Sequence, residues 1–296
     1  MVRATPLIIL AAAALAATGQ AQRLRPADVD AIPSKPADAR VAYGPDSLQF
    51  GDLRIPKGKG PFPLAIVIHG GCWIHHFASL QNTTAMADAL RDAGIATWNV
   101  EYRRADDPGG GWPGTFLDIA DAADHIRALA ARYRLDTTRI VAVGHSAGGH
   151  LALWLAARGR LKPVSPLYRA RPIRLHGAIS LGGPGDLAEF VPREDQSCGP
   201  SVSVLMGGKP ADVRARYAEG SPVELLPLGI RQLLIVGDSD RIMPAAARKS
   251  YLDRSLKAGD RVEVIVIPNA GHFEVIAPTA VAWTTVRAAI KRMVAY

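Results

Sequence analysis

Three kinds of side chain can together cleave an acyl bond without a cofactor. They are a serine hydroxyl, an imidazole that takes its proton, and a carboxylate that holds the imidazole. The serine candidate is Ser146, in the run Gly144-His145-Ser146-Ala147-Gly148. A hydroxyl is a weak nucleophile and needs a base, an exposed position and donors for the charge it creates. The Gly-x-Ser-x-Gly pattern supplies the position. The chain turns sharply from strand to helix, the serine stands strained at the tip, and side chains at the glycine positions collide with backbone. Alone the pattern is weak, because a chain this rich in glycine carries one by chance about once in ten.

The donors are expected from His69-Gly70-Gly71-Cys72-Trp73, directly after an apolar run. A tetrahedral intermediate puts negative charge on the former carbonyl oxygen, and backbone N–H groups reach it only where glycines permit close approach. The Ala147 N–H is one expected donor. The Gly70, Gly71 and Cys72 stretch supplies the other, at Gly71 or Cys72. Alone, this loop reads equally well as an ordinary glycine-rich turn.

The expected base is His272 in Gly271-His272-Phe273, although such a residue can also be a surface histidine. His145 and His150 flank the serine too closely in sequence to approach its hydroxyl in the needed direction. They read as packed or hydrogen-bonded neighbours, while His145 and Trp73 are also placed among the substrate-binding residues. His69 reads as bracing its own loop, and His75 and His76 either line the pocket or are solvated. Two carboxylates follow a strand in GDSDRIMP. Asp240 is preferred as the partner of the base, with Asp238 capping the turn, but the residues alone leave both open.

These groups need a scaffold that brings them to one place. Apolar runs at Pro63–His69, Ile95–Tyr102, Arg139–Val143, Leu175–Leu181, Gln232–Val236 and Arg261–Ile267 predict strands. Helical spacing predicts helices over Leu80–Ala93, Thr115–Tyr133, Ala147–Arg158, Ala245–Ala258 and Ala280–Val294. The alternation implies an α/β fold with a mostly parallel central sheet and helices on both faces. Each motif then falls at the carboxyl end of a strand, where such sheets gather function. Residues 182–228 read as irregular and long enough for a short cap.

The motifs HGGCW, NVEYRR (Asn99 to Arg104), GHSAGGH, GDSDRIMP and GHF span about residues 60 to 275. On them the chain resembles the α/β-hydrolases of the serine esterase branch. That branch includes kynurenine formamidases, hormone-sensitive-lipase-like esterases and bacterial feruloyl or acetyl esterases. The family pattern G-x-x-D-x-x-V-P maps onto Gly237, Asp240, Met243 and Pro244, and so implies Asp240 as the acid. Departures are Val236, where many members carry histidine, and Met243, where many carry valine. The expected function is hydrolysis of small acyl or aryl esters through an acyl-enzyme. N-formyl amides and short peptides are the alternative substrates. A non-catalytic binding protein that keeps the fold is the alternative of another class.

No cofactor or metal is expected. The two cysteines, Cys72 and Cys198, fit no zinc spacing, and DDPGGGWPGTF (Asp106 to Phe116) lacks the Lys-Ser/Thr of a phosphate loop. That stretch reads as a surface loop entering a helix, with Trp112 near the pocket. Residues 1–21 have the layout of a secretory signal peptide: Arg3, an apolar run from Leu7 to Ala17, then small residues with cleavage expected after Ala21. The expected location is periplasmic or secreted, with no membrane attachment after cleavage. In that compartment Cys72 and Cys198 form one disulfide or remain two buried thiols. Residues 22–46 read as an extended arm and 47–296 as one hydrolase domain. The formal charge of +8 comes from scattered arginines. No basic run alternates with aromatics, so the expected partner is a small ester and not nucleic acid.

Overall fold

The structure is a computed structural model and describes residues 23–192, 197–243 and 245–295. The signal-peptide segment lies outside these. The described strands are β1 (Ala39–Ala42), β2 (Phe50–Arg54), β3 (Phe62–Ile68), β4 (Ala96–Val100), β5 (Leu135–His145), β6 (Gly177–Leu181), β7 (Arg231–Gly237) and β8 (Arg261–Ile267). They form one sheet in the order β1-β2-β4-β3-β5-β6-β7-β8. From β4 to β8 every neighbouring pair is parallel; β1 and β2 run antiparallel at one edge. This is the α/β-hydrolase fold.

The central strands are apolar throughout because both faces are covered. On β3, Leu64, Ile66 and Ile68 face one core with Trp98, Phe116, Leu151 and Trp154. Ala65 and Val67 face the other, with Met86, Leu90, Trp283 and Ile290. The first layer holds helices α3 (Gly111–Asp124), α4 (Ile126–Tyr133) and α5 (Ala147–Ala157). The second holds α1 (Pro26–Asp30), α2 (Gln81–Asp92) and α10 (Ala282–Ala295). Helix α9 (Ala245–Lys257) closes the β7 side through Tyr251, which packs with Leu153, Ala178 and Leu234.

Four boundaries differ from the sequence reading. Residues 22–46 do not form a simple extended arm: within them lie α1 and β1, and β1 is part of the sheet, so the domain begins before residue 47. Strand β2 is invisible to a hydrophobic count because FGDLR carries Gly51, where a Cβ would lie 2.6 Å from the Trp98 ring. The helix expected over Thr115–Tyr133 starts earlier and divides into α3 and α4 at His125. Inside its first turn Trp112 is extended (ψ 127°), as a residue before proline must be. Residues 182–228 hold α6 (Leu187–Phe190), α7 (Ser201–Met206), α8 (Arg214–Gly220) and a 3-10 turn at Pro222–Leu225. Leu187, Val202, Leu205, Met206 and Tyr217 share the core of α3 and α5, so much of the segment is integral to the domain.

Candidate active site

β5 ends in the elbow. Ser146 has φ 51° and ψ −120°, a left-handed backbone that costs a non-glycine residue about 1–3 kcal/mol and persists only where its surroundings enforce it. They do: its N–H donates to Leu181 O at 2.9 Å. A Cβ on Gly144 would lie 1.9 Å from Gly148 O, and one on Gly148 would lie 2.2 Å from Ile68 O. Only glycine fits at either place. Ala147 opens α5, so its N–H is one of the donors that the helix itself leaves unpaired. Ser146 is 9% exposed.

The HGGCW loop follows β3 and lies against the elbow. A Cβ on Gly70 would meet Ser146 Cβ at 3.0 Å and His145 O at 2.9 Å. Three successive residues have positive φ: Gly71 (96°), Cys72 (52°) and Trp73 (56°). That conformation is held from both ends. Ala105 donates its N–H to Trp73 O at 2.7 Å, and Ile74 N–H donates to Gly71 O at 2.9 Å. Cys72 is joined to Cys198, with Cα atoms 5.6 Å apart, which resolves the two alternatives for the cysteines as a bridge. The bridge ties the loop to the segment leading into α7.

Beneath the loop sits a buried ionic group of His69, Glu101 and Arg104; the sequence reading assigned a role only to His69, as a brace of its own loop. Glu101 Oε1 accepts from His69 Nε2 at 2.9 Å and from Arg104 Nη1 at 2.5 Å, and Oε2 accepts from the Leu80 N–H at 3.0 Å. Burial raises the Glu101 pKa, but His69, Arg104 and that N–H outweigh it and bring it down to about 2. The Tyr102 hydroxyl donates to His69 O at 3.0 Å. NVEYRR therefore acts as the foundation of HGGCW. The signal was present in the motif, but a carboxylate that braces a loop looks like any other in sequence.

On the other side, His272 Nδ1 donates to Asp240 Oδ2 at 2.8 Å. A carboxylate only accepts, so Nδ1 is the donor, and in the neutral ring the lone pair is then on Nε2. Asp240 Oδ1 is taken by the N–H groups of Ile242 (2.9 Å) and Met243 (3.0 Å). Burial raises the Asp240 pKa, but the His272 ring and these N–H groups overcome it and hold the carboxyl below its usual range. Asp238 is exposed and accepts from the Ser239 hydroxyl at 2.9 Å. Gly182, at the end of β6, lies between the parts: a Cβ there would be 3.1 Å from Asp240 Oδ2 and 3.2 Å from His272 Nδ1. Among the described residues no hydrogen bond joins Ser146 Oγ to His272, a contact that commonly tightens only with substrate.

Two expected substrate contacts are corrected. His145 is 1% exposed; its Nε2 donates to His272 O at 2.9 Å and its ring lies 4.6 Å from that of His272. Burial first, then the neighbouring His272, bring its pKa down to about 3, so it is a neutral spacer behind the base. Trp73 is also 1% exposed and stands edge-on to His150, 5.4 Å between ring centres. Both seal the site from behind, because the left-handed turn at Cys72 and Trp73 directs the indole into the core. His150 donates from Nε2 to Gly220 O at 2.8 Å, and burial lowers its pKa to about 4. His75 is tied to Asp107 (2.7 Å) and Arg104 (2.8 Å), and His76 stacks on Phe77.

The base loop has a strap from the start of the described chain. Glu274 Oε2 accepts from Gly271 N–H and Oε1 from Leu24 N–H, each at 2.9 Å. Arg23 donates to Asn269 O at 2.6 Å and to the Ser239 hydroxyl at 2.8 Å. Nothing in the sequence pattern marks residues 23 and 274 as partners.

A nucleophile in a strained elbow, a tautomerically fixed base and a rigid donor loop converge at adjoining strand ends. The BD-FAE family model matches residues 52–254, a stretch that includes the elbow, the HGGCW loop and Asp240. The chain belongs to the BD-FAE family. Curated relatives of this BD-FAE member include esterase LipC of Mycobacterium tuberculosis, 26% identical over 79% of this chain. Esterase EstD of Thermotoga maritima is 24% identical over 75% of it. The chain spans 59% and 57% of those proteins' own lengths. Among solved structures, a truncated carbohydrate esterase from gut microbiota superposes with TM-score 0.73 at 20% identity, covering 88% of this chain and 99% of that one. Inhibited esterase B from Lactobacillus rhamnosis gives 0.75 at 17% identity, covering 88% of each chain. These similarities show the shared fold.

Proposed function

We propose that this BD-FAE member is a serine carboxylesterase acting on small acyl or aryl esters. The observation that carries the reading is the His272–Asp240 hydrogen bond, which in the neutral ring leaves Nε2 as the acceptor nitrogen. In the first step Ser146 Oγ attacks the ester carbonyl while His272 Nε2 takes the hydroxyl proton. The oxyanion is held by N–H groups of Ala147 and of Gly71 or Cys72. The imidazolium, stabilised by Asp240, then protonates the departing alkoxide and leaves an acyl-serine. Water, deprotonated by the same nitrogen, attacks the acyl carbon; Ser146 regains its proton and the acid departs. The relatives' names, esterase LipC and esterase EstD, agree with this chemistry.

The reading includes export. It is supported by the layout of residues 1–21 and by a Cys72–Cys198 bridge, which an oxidising compartment favours. The test is hydrolysis of p-nitrophenyl acetate by the purified protein beside Ser146→Ala. Activity that vanishes in the variant is the expected result. Activity that persists there overturns the mechanism. A preference of tenfold or more in kcat/KM for N-formylkynurenine would replace the ester by a formamide.

A further inference from the structure

The turn that carries the oxyanion donors is built from residues that do not favour it. Ile74 N–H donates to Gly71 O at 2.9 Å and closes a turn with Cys72 (φ 52°) and Trp73 (φ 56°) at its centre. Turns with positive φ at both central positions favour Gly, Asn and Asp. Cys and Trp there must be held by their surroundings. Trp73 is held by packing: its indole is buried, and its carbonyl accepts from the Ala105 N–H. Cys72 lacks such support. Among the described residues neither its N–H nor its carbonyl makes a hydrogen bond, and its side chain is half-buried. The tie that remains is its bond to Cys198.

Cys198 is a firm anchor. It is buried, and α7 begins just after it at Ser201. Val202, Leu205 and Met206 of α7 lie in one core with Phe116 and Leu151. The bridge therefore passes the position of a packed helix to a turn 126 residues away in sequence. That turn orients the N–H groups of Gly71 and Cys72. Among the described residues neither has an acceptor, so both stand open for an oxyanion.

We propose that the Cys72–Cys198 bridge is a redox switch of catalysis. Closed, it holds the Cys72 turn with its donor ready; open, the turn relaxes and the oxyanion loses that donor. The proposal rests on the ester-hydrolase reading, since only a reaction that passes through an oxyanion needs this N–H. A small dithiol can approach, because Cys72 is half-buried and Ser197 and Pro200 beside Cys198 are exposed. Its thiolate attacks one sulfur, the Cys72–Cys198 bond breaks, and a mixed disulfide forms while the other cysteine leaves as thiolate. The reagent's second thiolate then displaces the first cysteine. The reagent ends as a disulfide, and its two electrons and two protons end on the cysteines. With export as proposed above, a chain still in a reducing compartment would keep an idle site until the bridge closes.

The test is p-nitrophenyl acetate kinetics on the purified protein, oxidised and after dithiothreitol. The reagent is removed without oxygen before assay, because free thiols cleave this ester themselves. Reduction should lower kcat about tenfold or more with KM nearly unchanged, while circular dichroism shows the fold intact. Glutathione disulfide should restore the rate. Cys198→Ala should match the reduced enzyme and ignore the reagent. Cys72→Asn with Cys198→Ser should be severalfold more active than Cys72→Ser with Cys198→Ser, since asparagine tolerates the left-handed turn without a tether. Should reduction unfold the chain, the same comparison in sucrose, which favours the compact state, keeps the switch testable. An unchanged kcat in folded, reduced protein would overturn the switch and leave the ester reading intact. No turnover by the oxidised protein would overturn both.

Discussion

The two halves of the site, on either side of Ser146, are held by different means. The donor loop rests on buried ions and a covalent bridge: Glu101 with His69 and Arg104 below, Cys72–Cys198 beside. The acid and base loops are held by single hydrogen bonds, several at the surface: Glu274 to Leu24 and Gly271, Arg23 to Asn269 and Ser239. The difference matches the work of each half. Oxyanion donors stabilise charge only if they need not reorganise when it forms, so rigidity there lowers the barrier directly. The base must accept a proton, pass it on and do so twice, so it has to serve two partners in turn.

Removing the group that both halves serve should have the largest effect. Ser146→Ala should lower kcat for p-nitrophenyl acetate by about 10⁵- to 10⁶-fold. Asp240→Asn tests the acid–base half and should cost about 10⁴-fold, because an amide that donates to Nδ1 fixes the wrong tautomer. Initial-rate kinetics on folded protein measure both, and a loss below tenfold for Asp240→Asn would point to another acid.

The rigid half is better probed by stability. Replacing Cys72 and Cys198 together by serine opens a loop closed across 126 residues. It should lower unfolding free energy by up to about 5 kcal/mol in urea titrations. Acid should attack buried groups in both halves. The pKa values of His145 and His150 are depressed to about 3 and about 4 from 6.5, so the unfolded chain binds their protons first. The stability they contribute is complete above about pH 6.5 and drains as pH falls toward those values. Glu101, at about 2 against 4.5, adds a loss below about pH 4.5. Unfolding free energy should therefore fall by a few kcal/mol between pH 7 and pH 4.5. His150→Gln should flatten part of that slope, and an unchanged slope would remove His150 from the account. The smallest effect is expected at the strap. Glu274→Gln should lower kcat about tenfold, leave KM nearly unchanged and shift Tm by only a few degrees. An equal rise in KM would mean that the strap shapes the pocket and not the base.

Much of this arrangement was legible in sequence wherever local chemistry forces it. Gly144 and Gly148 must be glycine because backbone lies against them, and the apolar strands announce a sheet covered on both faces. The choice of Asp240 over Asp238 needed the resemblance, since both follow β7 and only one turns inward to the ring. Long-range partners were not legible: Glu101 under His69, and Leu24 on Glu274, 250 residues apart. Nothing local to either residue records such a contact. Trp73 was misjudged because φ at residues 72 and 73 decides which way the indole points, and His145 because its partner, His272 O, lies 127 residues away.

The strap also has a practical consequence for handling the protein. A tag or fusion joined directly ahead of Arg23 would leave the surface beside the loops that carry Asp240 and His272, where a linker competes with incoming ester. Met293, near the end of α10, lies against Gly177 at the amino end of β6, the whole length of the sheet away from the chemistry. Immobilisation or labelling after α10 should therefore leave turnover untouched, while the same handle at the other end acts as a partial plug.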